Sequence, residues 1–149
     1  MNKNSLVLAY LGDAYFELFI RSYIVSLNDL KVKDLQKRVT SIVSAKGQAN
    51  LLNKLIDDNK LSDLELDVVK TGRNHKTNSH PKNTDIITYK YATGFEALIG
   101  YLYLNNKERL EELMNIIKTV VSSQLSFFLC KNHAVQQKIH ILFQILCWQ

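Results

Sequence analysis

The sequence predicts an all-α protein, and three observations carry that expectation. Only one proline and five glycines occur in 149 residues, so few positions would break a helix. Apolar residues recur at steps of three and four along most of the chain. Polar residues suited to helix caps stand where several of those patterns begin. A hydrophobic fraction of 46% and a charged fraction of 22% are ordinary for a globular protein, and this length suffices for a core without disulfides or a structural metal.

The first helix is expected over residues 5–25, with Leu8, Leu11, Tyr15, Leu18 and Phe19 at helical spacing. Asn28 and Asp29 supply turn chemistry before a second helix over 32–42. Ser44 can cap a third, whose apolar side holds Ala49, Leu51, Leu52, Leu55 and Ile56. Ser62 followed three residues later by Glu65 reads as a capping box opening a fourth helix, with Leu66 and Val69 facing inward. Residues 71–84 form a polar loop containing Pro81. A strongly apolar fifth helix covers 85–104, and a sixth covers 107–121, with Leu110, Leu113, Ile116, Ile117 and Val120 on one side. Two readings of residues 122–149 stand: one or two helices packed on the body, or an irregular end.

Nineteen basic residues against fourteen acidic ones give a net charge of +5. That balance suits a polyanionic partner, but other small basic domains share it. Cys130 and Cys147 form no disulfide framework, which fits a reducing cytosol. With His133 and His140 they make a spacing that matches no common zinc pattern, so free thiols and surface histidines are the better reading. Asp13 and Glu17 interrupt the first apolar stretch, which therefore does not read as a signal peptide. No uncharged run approaches the roughly 18 residues of a membrane span.

The most informative feature is a pair of acids inside the most apolar segments. Asp13 lies within Leu6 to Phe16, and Glu96 within Gly94 to Leu104. Burying an ionised carboxylate costs several kcal/mol unless a partner compensates. The two could meet and share a divalent cation such as Mg²⁺ or Mn²⁺, which takes one or two carboxylates and keeps several waters. Spacing alone equally allows each to face solvent or pair with a base. Glu17, four residues after Asp13, reads as a surface or salt-bridge residue. Gly12 and Gly100 fall inside helices, where each costs about 1 kcal/mol relative to alanine. Close approach of a helix or of a substrate backbone would explain them, as would ordinary tight packing.

Between Val68 and Thr84 there is no acidic residue, while Lys70, Arg73, Lys76 and Lys82 occur with His75 and His80. Such a stretch suits phosphate contacts, with Asn74, Asn78, Ser79 and Asn83 as added donors, or it is simply a solvated loop. Lys31, Lys33, Lys37, Arg38 and Lys46 form a second basic group with the same two readings.

Tyr10-Leu11-Gly12-Asp13-Ala14 resembles the Leu-Gly-Asp-Ala signature of ribonuclease III catalytic domains. Phe95-Glu96-Ala97-Leu98-Ile99-Gly100 is similar to the second catalytic helix of that family, and the two occur in the family's order. Gly72-Arg73-Asn74-His75-Lys76, Pro81-Lys82-Asn83-Thr84-Asp85, Thr88 to Thr93, and Val43-Ser44-Ala45-Lys46 with Gln48-Ala49 resemble the Mini-III branch. The resemblance covers roughly residues 4–120, which makes 1–121 the catalytic domain and 122–149 an extension of unknown role. It leaves no room for a double-stranded-RNA-binding domain.

This resemblance implies the helical endonuclease fold, a homodimer, and magnesium-dependent cleavage of double-stranded RNA, with Mn²⁺ as a substitute. Asp13 and Glu96 would be both the catalytic residues and the metal ligands. Arg73, Asn74, His75, Lys76, Lys82, Asn83 and Lys46 would bind RNA. The substrate would be the 23S ribosomal RNA precursor in the cytoplasm, with a ribosomal protein as a candidate helper. Two acids of full-length family members are replaced, at Ala9 and Thr93. That reduced set is shared by the Mini-III branch and argues against a two-metal site built on four carboxylates. A catalytically inactive dimeric RNA-binding protein of the same fold is the alternative.

Overall fold

The computed structural model describes residues 4–27, 31–75 and 85–130, with side chains through residue 124. These residues form six helices, and no strand occurs among them: α1 (Ser5–Leu27), α2 (Val32–Val43), α3 (Ala45–Asp57), α4 (Asp63–Arg73), α5 (Ile86–Asn105) and α6 (Lys107–Cys130). Packing divides the chain into two units at Leu113 and Met114, inside α6. In the first unit α5 is central, packing most extensively on α1 and then on α4 and α3.

Local chemistry sets most of the boundaries. The Ser44 side chain accepts a hydrogen bond from the Gly47 amide and opens α3. Ser62 and Glu65 make the full reciprocal capping box of α4, and Asp85 caps α5 by accepting from the amides of Ile87 and Thr88. After α3 the chain turns through Asn59 in the left-handed region, at φ 52°. The amides of Asn59 and Lys60 return to the carbonyls of Ile56 and Leu55, closing a Schellman motif.

The buried stripe of α1 is Ser5, Leu8, Ala9, Gly12, Phe16, Ile20 and Ile24. This corrects the expected face, since Leu11, Tyr15 and Phe19 are only partly buried and Leu18 is 65% exposed. The helix is apolar nearly all round, so periodicity alone does not choose between its faces. Phe16 meets Phe95 edge-on, with ring centroids 4.9 Å apart and both rings fully buried.

Two glycines decide how close α1 and α5 come. A Cβ on Gly12 would lie 1.9 Å from the Glu96 carbonyl oxygen, and one on Gly100 would lie 2.0 Å from that of Leu8. Neither position admits a side chain without separating the helices, which settles the two mid-helix glycines as a helix–helix contact.

The fourth helix carries a second correction. Its buried residues include Glu65, only 3% exposed, while Leu66 is partly covered. Arg109 donates to Glu65 from Nε at 2.8 Å and from Nη2 at 3.2 Å, and Nη2 also reaches the Lys60 carbonyl at 2.6 Å. Burial works to raise the Glu65 pKa, but hydrogen bonds from Arg109 and Ser62 outweigh it and the net shift is downward.

Two stability outcomes follow from these contacts. Gly100→Ala should cost about 1–3 kcal/mol through overpacking at the crossing, read by chemical denaturation. Arg109→Met should cost about 3–5 kcal/mol, because it strands a buried charge. A loss below 0.5 kcal/mol in either variant would contradict the corresponding contact.

Candidate active site

The α1–α5 crossing places the two conspicuous acids together. Asp13 follows Gly12 directly, and Glu96 supplies the carbonyl against which Gly12 packs. Asp13 is exposed at the edge of the buried stripe, whereas Glu96 is half-buried. Glu96 has its pKa pushed up to about 8, first by burial and then by the negative charge of Asp13.

A third side chain joins them from α3. Gln48 Nε2 donates to Asp13 Oδ1 at 3.2 Å, and the same side chain lies close enough to Glu96 to work toward lowering its pKa. No ion pair among the described residues involves Asp13 or Glu96. Among those residues no cluster of three or more histidine, cysteine or acidic side chains forms. The candidate ligands are therefore two carboxylates, with one neutral amide beside them. This fits Mg²⁺, which accepts one or two carboxylates with waters completing its shell.

The positions of the absent acids are filled otherwise. Ala9 is buried in a cluster with Leu8 and Ala97. Thr93 is buried too, and its hydroxyl donates to the Tyr89 carbonyl at 3.1 Å. Glu17 pairs with Arg21 on the surface, as the spacing suggested.

A sequence model of the Ribonuclease III domain matches residues 6–107. Proteins named Mini-ribonuclease 3 from Enterococcus faecalis and Staphylococcus aureus are 49% and 43% identical, over 75% and 81% of this chain and 86% and 91% of their own lengths. The crystal structure of a Fusobacterium nucleatum protein has a TM-score of 0.67 at 35% identity, covering 78% of this chain and 92% of that one. The chain belongs to the Mini-ribonuclease III branch of the ribonuclease III family.

As a Mini-ribonuclease III it is an endoribonuclease, and its family acts on double-stranded RNA and is generally metal-dependent. The expected RNA-binding residues are only partly brought together. Arg73 stacks over the Tyr91 ring, with its guanidinium carbon 5.5 Å from the centroid, and donates to the Tyr91 hydroxyl at 3.5 Å. Asn74 caps the end of α4, and His75 Nδ1 lies 3.3 Å from the buried Ser5 hydroxyl. Lys46 is exposed and lines a cleft of about 660 Å³ between α3 and α5, together with Asn50, Asn53, Thr88 and Tyr91. Lys76, Lys82 and Asn83 lie outside the described residues, as do His133, His140 and Cys147.

Sequence reasoning quoted Gln48 as part of a family match but gave it no role. The available signal was its position on the apolar row of α3, three, four and seven residues before Leu51, Leu52 and Leu55. An amide on such a row needs a buried polar partner. Tyr91 likewise lacked an assigned role until Arg73 was seen against it.

The raised Glu96 pKa makes a pH prediction. The folded protein keeps a proton on Glu96 that the unfolded chain releases near 4.5. Within about pH 4.5 to 8 the native state binds more protons, so this group's contribution to stability falls as pH rises. Melting of the metal-free protein should show that decline, and Glu96→Gln should flatten it. An unchanged slope in the variant would refute the assignment.

Proposed function

We propose that this Mini-ribonuclease III is a magnesium-dependent enzyme that matures the ends of the 23S ribosomal RNA precursor in the cytoplasm, acting as a homodimer. The observation that carries the catalytic part is the convergence of Asp13 and Glu96 from separate helices, with no basic side chain paired to either among the described residues. Asp13 and Glu96 would hold Mg²⁺, and Mn²⁺ would substitute. An ion held there would supply an activated water and would stabilise charge developing on phosphoryl oxygen. Hydrolysis places the water oxygen on phosphorus and breaks its bond to O3′, leaving a 5′-phosphate and a 3′-hydroxyl.

Around that centre the chain's own groups orient the duplex. Arg73, held against Tyr91, and exposed Lys46 supply positive charge for phosphates, with Asn74 and His75 beside them. Lys76, Lys82 and Asn83 extend the same RNA-binding set. Residues 1–121 are taken as the catalytic domain and 122–149 as an extension, around the matched span 6–107.

The homodimer is supported by the outer face of α1. Val7, Tyr10, Ala14, Leu18 and Val25 recur there at heptad-like spacing, and Tyr10 is 83% exposed. Val7, Tyr10, Leu18 and Val25 are large apolar side chains facing water, and such a row is the usual mark of a protein contact. Among the described residues no helix is long and apolar enough to cross a membrane.

The test is cleavage of precursor duplex RNA in Mg²⁺. Asp13→Asn and Glu96→Gln should each lose on the order of 10³-fold or more in rate, the several kcal/mol that a metal contributes. Near-normal cutting by folded, dimeric variants would sink the assignment.

A further inference from the structure

Gln48 is only 1% exposed, on a helix face otherwise made of alanine and leucine. An unpaired amide there would be destabilising, and a leucine or methionine would fill the same space without that cost. Its side chain is aimed at the proposed catalytic pair, donating from Nε2 to Asp13 Oδ1 at 3.2 Å and lying close enough to Glu96 to work against the rise of its pKa. The backbone that carries it is fixed twice: Ser44 caps the helix through Gly47, and the Gln48 amide bonds the Ser44 carbonyl at 2.9 Å. One neutral group thus joins carboxylates from α1 and α5 through a third helix, α3.

The chemistry of an amide is what this position calls for. A lysine would neutralise the carboxylates and compete with a cation for them. A third carboxylate would add repulsion to a pair that already repels. An amide restrains both acids, adds no charge, and leaves their negative field available to a divalent ion.

We infer that Gln48 is the positioning residue of the site, holding the Asp13 and Glu96 carboxylates in the arrangement that receives the metal. The inference rests on the reading of those two acids as metal ligands. It assigns Gln48 no contact with RNA or with the reacting phosphate.

The experiment measures Mn²⁺ binding to the full chain, by electron paramagnetic resonance of free Mn²⁺, for the parent, Asp13→Asn and Gln48→Met. Circular dichroism and thermal melting confirm that each is folded. Gln48→Met should bind Mn²⁺ about 10- to 100-fold more weakly, the usual cost of losing a group that orients metal ligands. Its cleavage rate should recover most of the loss as Mn²⁺ is raised, so that the defect lies in metal occupancy. A folded Gln48→Met with parental Mn²⁺ affinity overturns the inference, as does a rate loss that added metal does not restore. If Gln48→Met does not fold, Gln48→Leu, which also lacks the donor, is measured against the same outcomes. Equal binding by the parent and Asp13→Asn would instead refute the metal reading itself, and the inference would fall with it.

Discussion

The contact on which the rest of this structure depends is the crossing of α1 and α5 at Gly12 and Gly100. Each glycine faces a backbone carbonyl of the other helix, at distances that exclude even a methyl group. Intrinsic propensity argues against both residues in mid-helix, so their presence costs helix stability. The gain is an approach close enough to bring the backbones of Gly12 and Glu96 into contact. Phe16 and Phe95 then lock the neighbouring turns with a buried edge-to-face pair, and Ala9 and Ala97 keep the contact thin on the other side.

From that crossing the electrostatics follow. Asp13 is the next residue after Gly12, so close packing of the helices necessarily brings its charge near Glu96. The protein contains two acidic groups treated in opposite ways. Glu65 is buried against Arg109 and its pKa falls, as suits a carboxylate whose task is to hold α4 to the start of α6. Glu96 lies beside another acid with only a neutral amide between them, and its pKa rises to about 8. A structural carboxylate is satisfied within the fold. The Glu96 carboxylate has no cationic partner among the described residues, and a divalent cation is the kind of group that would supply one.

Much of this was legible in the sequence, and the limits have physical causes. Caps at Ser44, Ser62 and Asp85 are local events, so the starts of α3, α4 and α5 could be read from a few residues. The orientation of α1 was not local. A helix with apolar residues on nearly every side must present one side to the core and another to water, and only packing on α5 chooses between them. The end of α6 was missed for a similar reason, since it runs to Cys130 through residues with no stop signal. Asp13 and Glu96 stood out because charge in an apolar run is conspicuous. Gln48 and Glu65 did not, because an amide or an acid on an amphipathic helix looks solvent-facing until the partner from another helix is known.

The two missing acids make sense in the same terms. Position 9 lies one helical turn before Asp13, and Ala9 is buried against Ala97 within the α1–α5 contact. A glutamate there would have to fit a longer side chain and a further negative charge into that contact. Thr93 lies nearly one turn before Glu96 and donates its hydroxyl back to the Tyr89 carbonyl of its own helix, and it brings no negative charge to the centre. A site so reduced holds less negative charge, and gives less orientation to whatever charge remains. Fewer ligands make the geometry of each one more consequential, because waters in the metal shell impose no direction of their own. On the proposed reading, that places the burden of orientation on the third helix, where a buried glutamine would restrain both acids without altering the charge that would draw an ion.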